Sequence, residues 1–374
     1  MKSKIWLSSP HMSGAEQSYI AEAFDSNCIA PRGSNINAFE DDIAAYLKTN
    51  KHVSALTSGT AAIHIGLILL NVNQGDEVIC QSNTFAASAN PIVYLKATPI
   101  FVDSEKDTWN ICPEQLELAI KDRIKKGKKP KAIVAVHLYG MPYKVDRIQA
   151  ISKAYDIPVL EDSAEAFGSC YKHNKCGTFG ELAVLSFNAN KIITTSGGGA
   201  LITNSKAMKL RSLFIATQAK DDSPAYLHSH IGYNYRISNV LAGIGRGQMT
   251  VLEDRVQKRR GIFEFYKDHL SAINELSFLE ESEGFYSNRW LSCILTPSYE
   301  VREGLRLHLQ SYNIETRPLW KPMHQQPIFK HAPSYTNGVS ANLFEKGLCL
   351  PSGSNLTENE LDRVSFAIKS YFEL

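Results

Sequence analysis

The chain has 374 residues, 44% hydrophobic and 21% charged, a globular composition that excludes a disordered or fibrous protein and predicts two domains or one large one. Lys plus Arg number 40 against 38 Asp plus Glu, and the formal charge of +2 supplies no long-range field for nucleic acid. The seven cysteines (Cys28, Cys80, Cys112, Cys170, Cys176, Cys293 and Cys349) are scattered and never spaced Cys-x-x-Cys, so they read as reduced thiols, with neither a disulfide framework nor a metal site expected.

The first ten residues hold too few apolar side chains for a secretory signal. The longest apolar stretch, residues 61–70, contains His64 and falls far short of a membrane span. A cytoplasmic protein without membrane contact is the expectation. Residues 52–57 read as a strand and 61–70 as a helix, then 77–80 as a strand and 90–95 as an apolar helical segment. Strands follow at 100–102 and 131–137, a helix at 145–155, and further strands at 159–162, 183–187 and 200–203. Seven near-continuous apolar strands separated by helices imply an α/β domain with a mostly parallel seven-stranded sheet covered on both faces. The large domain is expected over residues 1–245.

Beyond it the character changes. A charged helical stretch at 249–270 leads to weaker strands such as 290–295, which predicts a smaller C-terminal α+β domain over 246–374. No internal repeat or low-complexity segment is present. Residues 121–131 carry seven basic residues, but no aromatic residue interleaves them, and a solvated helix end accounts for the run.

Parallel sheets place ligands beyond the carboxyl ends of their strands, and the polar clusters fall there. Ser58-Gly59-Thr60 follows one strand and opens a helix, where unpaired N–H groups and the positive dipole end suit a phosphate. A plain N-cap accounts for that motif equally, and taken alone is the favoured reading. Asp162 ends another strand; it is either a cap or the partner of a cationic ring nitrogen, with small Ser163 and Ala164 leaving room for a flat ring. Ser186 to Lys191 follows a third. A lysine between a strand and the turn Gly197-Gly198-Gly199 is a Schiff-base nucleophile if desolvated, and an ordinary surface lysine if not. Three consecutive glycines mark a close backbone approach or a turn. Gly243-Ile-Gly-Arg-Gly247 lacks the Gly-x-Gly-x-x-Gly spacing and sits in a helical context, so close helix packing is the better account and a nicotinamide site is poorly supported. His137, closing a strand, is either a satisfied core histidine, the favoured reading, or a site residue, and Phe85 reads as core unless a cofactor lies above its ring.

Taken together, in order and spacing, these segments resemble the DegT-type sugar-nucleotide aminotransferases that use pyridoxal 5′-phosphate (PLP) and have the type I fold. The likeness is strongest to the UDP-4-keto-sugar 4-aminotransferases of bacillosamine biosynthesis. It rests on Leu7-Ser-Ser-Pro-His-Met12, Ser26-Asn-Cys-Ile-Ala-Pro31, Ser58-Gly-Thr-Ala-Ala62, His137-Leu-Tyr-Gly140 and Glu161-Asp-Ser-Ala-Glu-Ala166. It continues through Asn188-Ala-Asn-Lys-Ile-Ile-Thr-Thr-Ser-Gly-Gly-Gly199, Gly232-Tyr-Asn-Tyr-Arg-Ile-Ser-Asn239, Asn288-Arg-Trp-Leu-Ser292, Glu315-Thr-Arg-Pro-Leu-Trp320 and Leu350-Pro-Ser-Gly353. Essentially the whole chain is covered.

The resemblance implies that Lys191 forms the internal aldimine with PLP and that Asp162 pairs with the pyridinium nitrogen. Phe85 and Ala164 lie on the two ring faces, and Glu165 meets the ring hydroxyl. Ser58, Gly59, Thr60 and Ser186 cradle the phosphate. Asn234 reaches the cofactor of a neighbouring subunit, which implies a homodimer with active sites at the interface. Asn27, Cys28, Ile29 and Ala30, with Arg317, Pro318, Leu319 and Trp320, contact the nucleotide sugar. Ala189 stands where bacillosamine-type relatives carry glycine, a departure bearing on loop geometry and not on the lysine. The implied reaction moves the amino group of L-glutamate to the C4 keto carbon of UDP-2-acetamido-2,6-dideoxy-4-keto-glucose, in two half-reactions sharing one site. Three alternatives stay open: a dTDP- or GDP-linked keto sugar (perosamine type) as acceptor, a nicotinamide-dependent dehydratase or epimerase, and a catalytically silent relative. Members of the family that dehydrate have lost this lysine, commonly to histidine, whereas Lys191 is retained.

Overall fold

The computed structural model describes residues 3–373. Its largest sheet has eight strands, in the order His52–Leu56, Gly199–Thr203, Leu182–Ser186, Val159–Asp162, Ala132–Val136, Glu77–Gln81, Thr98–Val102 and Ser334–Tyr335. All pairings are parallel except those of Gly199–Thr203 with its two neighbours. The seven expected strands are all present. The eighth, Ser334–Tyr335, comes from the C-terminal part of the chain and pairs with Phe101 and Val102. Two residues are too few for an alternating pattern to show in the sequence.

The strands are buried along almost their full length, which is why they read as continuous apolar runs. The helix Gly59–Leu69 lies against the sheet with Ala62, Ile63, Ile65 and Leu67 fully buried; each large side chain removed from water there contributes about 1.5–3 kcal/mol. The helix Asn239–Met249 packs on Glu16–Asp25 and Ser34–Leu47. A methyl group at Gly245 would meet the Phe39 ring, and one at Gly247 the Glu16 backbone, so the glycine-rich run is a helix-packing device as expected.

A second, four-stranded antiparallel sheet joins Ser277–Phe278, Ser292–Leu295, Gly347–Leu350 and Arg317–Pro318. The helices Leu252–His269, Tyr299–Ser311 and Glu358–Tyr371 contribute to its core, and Ile5 from the start of the chain joins them. Among the described residues no helix is long and apolar enough to cross a membrane.

One polar network fastens the centre of the large sheet. Glu161, fully buried, accepts hydrogen bonds from His137 Nε2 (2.8 Å), the Ser163 hydroxyl (3.0 Å) and the amides of Gly177, Phe179 and Gly180 (2.5, 2.7 and 2.9 Å). His137 Nδ1 accepts from the Tyr143 amide at 3.1 Å, so its proton is on Nε2 and points at Glu161. Burial pushes the Glu161 carboxyl up, but the His137 contact and these amides more than offset it and hold it below the usual range. Cys176 lies beside the pair, yet burial pushes its thiol up, and the carboxylate oxygens are already occupied. The grouping is a core network and His137 a satisfied core histidine. Replacing Glu161 with Ala strands several buried donors at once. We expect a loss of about 3 kcal/mol or more, read as a fall of roughly 4 °C in the melting midpoint.

Candidate active site

Three strands running in the same direction, His52–Leu56, Val159–Asp162 and Leu182–Ser186, end along one edge of the large sheet. Gly199 begins the antiparallel strand between two of them and pairs with both Leu56 and Ser186. A side chain at Gly199 would collide with the Ser58 carbonyl carbon and the Gly59 nitrogen, so the third glycine of the run marks a close backbone approach. That approach brings Ser58 and Ser186 to one place. Ser58 caps the helix Gly59–Leu69, its hydroxyl accepting from the Ala61 amide at 3.0 Å. The amides of Gly59 and Thr60, the first two residues of the helix, have no partner within it, and both residues line the same edge.

Above this edge is a cavity of about 290 Å³. Of the expected cofactor residues, Ser58, Gly59, Thr60, Phe85, Asp162, Ala164, Glu165, Ser186 and Lys191 all line it. Asn234 does not; it is exposed on the surface of the single chain. Of the expected substrate residues, only Trp320 lines it. Arg317 is exposed and paired with Glu315 at 2.9 Å. Leu319 is buried in the core with Cys349 and Leu343, so its side chain packs and is turned away from any ligand. Asn27, Cys28, Ile29 and Ala30 form an exposed segment tied down by Asn239, whose side-chain amide donates to the Cys28 carbonyl at 2.7 Å.

The charged groups sit within the cavity wall. Asp162 is 3% exposed and its carboxylate accepts from the Ser88 hydroxyl (2.7 Å) and the Ala164 amide (3.1 Å). The Lys191 amine lies 3.6 Å from Glu165 Oε1 and 3.9 Å above the centre of the Trp290 ring. Burial pushes this amine below the usual lysine range, against the pull of Glu165 and Asp162. Burial likewise pushes the Glu165 carboxyl up, opposed by Lys191 and by the Tyr139 amide, which donates to Glu165 Oε2 at 2.7 Å. The surface-lysine reading of Lys191 is therefore excluded.

Phe85 is 53% exposed at the cavity mouth with its ring 5.3 Å from that of Trp320. It is not a core residue. Tyr139 stacks between Trp290 and Trp320, with centroids 6.2 and 6.0 Å away, and its hydroxyl accepts from the Trp320 amide at 2.8 Å. Sequence reasoning assigned no role to Ser88, Tyr139, Asn190 or Trp290. Trp290 and Tyr139 fall within quoted motifs, which was the available signal; Ser88 carried none, being one serine in a short apolar segment.

A lysine and a strand-end aspartate lining one cleft of a mainly parallel α/β sheet are the arrangement that the resemblance to PLP-dependent aminotransferases implies. The profile of the DegT/DnrJ/EryC1/StrS aminotransferase family matches residues 10–369, and the chain belongs to that family of sugar aminotransferases. It is 50% identical, over 97% of its length and 95% of the relative's, to a protein of Bacillus subtilis (strain 168) described as the putative pyridoxal phosphate-dependent aminotransferase EpsN. It is 36% identical to the GDP-perosamine synthase of Escherichia coli O157:H7, over 97% of each chain. The PLP form of the putative sugar aminotransferase Spr1654 from Streptococcus pneumoniae superposes with a TM-score of 0.91 at 26% identity, over 99% of each chain.

The residues present fit PLP: a helix N-terminus beside the Ser58 and Ser186 hydroxyls for a phosphate, a fixed carboxylate, and a buried amine. The depressed lysine has a measurable consequence. In the cofactor-free chain, reductive methylation followed by peptide mass spectrometry should reach half its maximal rate at a lower pH for Lys191 than for exposed Lys121, because more of the Lys191 amine is unprotonated at a given pH.

Proposed function

We propose that this enzyme moves the amino group of L-glutamate to the C4 keto carbon of a nucleotide-linked 4-keto-6-deoxy sugar, with UDP-2-acetamido-2,6-dideoxy-4-keto-glucose as the acceptor. The observation that carries the chemistry is the buried Lys191 amine sharing one cavity with Asp162 and Glu165. PLP, when bound, supplies an electron sink for the carbanion formed at the donor's α-carbon. The protein's own groups do the rest. Ser58, Gly59, Thr60 and Ser186 hold the phosphate at the helix N-terminus. Asp162, fixed by Ser88 and Ala164, presents a negative charge to the ring nitrogen. Phe85 and Ala164 confine the ring, and Glu165 faces its hydroxyl. Lys191 would anchor the cofactor through its amine and, once that amine is free, would be the group that holds and moves the proton taken from the donor's α-carbon. With one lysine serving donor and acceptor in turn, the kinetics are ping-pong.

The exposed segments carrying Asn27 to Ala30 and Arg317 are read as contacts for the nucleotide sugar, Arg317 through its charge. The exposed Asn234 is read as reaching the cofactor of a second subunit, so the working form is a homodimer. A second reading, a GDP-linked 4-keto-6-deoxy sugar as acceptor, is favoured by the likeness to GDP-perosamine synthases of Escherichia coli O157:H7 and Vibrio cholerae.

Two experiments test this. Lys191→Ala should lower turnover by at least about 10³-fold without altering the circular dichroism spectrum; substantial residual transamination would refute the lysine's role. With glutamate as donor, a panel of UDP-, GDP- and dTDP-linked 4-keto sugars, with products read by NMR, should show the highest kcat/KM for the UDP-linked N-acetyl sugar. A higher value for the GDP-linked sugar replaces the first reading with the second.

A further inference from the structure

Arg259, on the helix Leu252–His269, is only 1% exposed, and among the described residues its hydrogen bonds go to neutral groups alone. Nη1 donates to the Trp290 carbonyl at 2.5 Å, Nη2 donates to the Ser8 hydroxyl at 2.9 Å, and Nε is buried without a partner. Among the described residues the other buried arginines each have a carboxylate beside them: Arg123 has Glu77, Arg255 has Asp254, Arg289 has Glu281 and Arg302 has Glu303. A guanidinium keeps its charge, and burying it without a counter-ion is costly. Rules of this kind are broken mainly at functional sites.

The two groups that Arg259 holds converge on one atom. The Ser8 hydroxyl donates to the Asn190 carbonyl at 2.8 Å, and the Trp290 indole N–H donates to the same oxygen at 2.7 Å. Asn190 immediately precedes Lys191, and the Trp290 ring is the surface on which the Lys191 amine rests. One side chain thus ties three distant segments, around residues 8, 190 and 290, to the base of the reactive lysine.

We propose that Arg259 is a positioning residue for Lys191: through Ser8 and Trp290 it locks the Asn190 carbonyl and the indole face that together fix the direction of the lysine side chain. This rests on the transaminase reading above. Its charge has a second consequence. Burial opposes the protonated form of the Lys191 amine most strongly; Glu165, Asp162 and the Trp290 ring favour that form, and the more remote charge of Arg259 adds to the opposition. Arg259 therefore keeps the amine nearer to its neutral, reactive form.

The test compares Arg259→Lys, which keeps the charge and loses the fork, Arg259→Met, which loses both, and Ser8→Ala, which cuts the link to Asn190. The first readout needs neither cofactor nor substrate: the pH of half-maximal Lys191 methylation in the cofactor-free chain. It should rise in Arg259→Met and stay near the parent value in Arg259→Lys and Ser8→Ala. The second is steady-state kinetics of the holoenzyme. All three variants should lose kcat, about tenfold for the arginine variants, with little change in KM for the nucleotide sugar. An unchanged methylation midpoint in folded Arg259→Met, or unchanged kcat in Ser8→Ala and Arg259→Lys, overturns the proposal. If Arg259→Met does not fold, the other two decide it. A wrong assignment of the sugar leaves the methylation result untouched, so the two failures are distinguishable.

Discussion

A primary amine held out of water beside two carboxylates is the arrangement on which this molecule turns. Glu165 is buried and the Lys191 side chain is only 12% exposed, 3.6 Å away, and burial shifts each away from its charged form. In water an amine so placed would be almost wholly protonated; here the cost of desolvation makes the neutral, nucleophilic form accessible. Asp162 accepts from the Ser88 hydroxyl and the Ala164 amide, which fix its side chain in the cavity wall.

Everything around that amine works to keep it there. The antiparallel strand Gly199–Thr203, inserted between two strands of the opposite direction, draws the Ser58 and Ser186 loops together. The Glu161–His137 network locks the neighbouring strands at the level of Asp162 without using any group the chemistry needs. From the other side the column Trp320–Tyr139–Trp290 closes the cavity with aromatic faces, and Tyr139, at a positive φ of 52°, turns its amide onto Glu165. A non-glycine residue in that region is strained backbone; its amide contact to Glu165 and its hydroxyl contact to Trp320 hold it there.

Much of this was legible beforehand. The seven main strands announced themselves because a sheet buried on both faces demands unbroken apolar runs. Ser58, Asp162, Ser186 and Lys191 stood out because each follows or ends such a run, where parallel sheets bind ligands, although position alone left a cap or a surface lysine open and only the resemblance implied their roles. Less was legible where the signal is spatial. Ser88 looks like any serine until Asp162 is seen 2.7 Å away. Leu319 sits in a motif next to Trp320, but only the folded chain shows that Leu319 packs with Leu343 and Cys349 in the core while Trp320 lines the cavity. Phe85 reads as core by composition and is half exposed.

The amino-acid sequence alone determined the class of fold and the family, and it singled out Lys191 and Asp162 as candidates, because each depends on residue type and local order along the chain. Tertiary structure alone decided that Lys191 is desolvated, that Trp290 lies beneath its amine, that Tyr139 supplies an amide to Glu165, and that Arg259 joins three remote segments behind them. Those facts depend on which surfaces meet in space, and a linear order of residues carries no distance between positions 8, 190, 259 and 290.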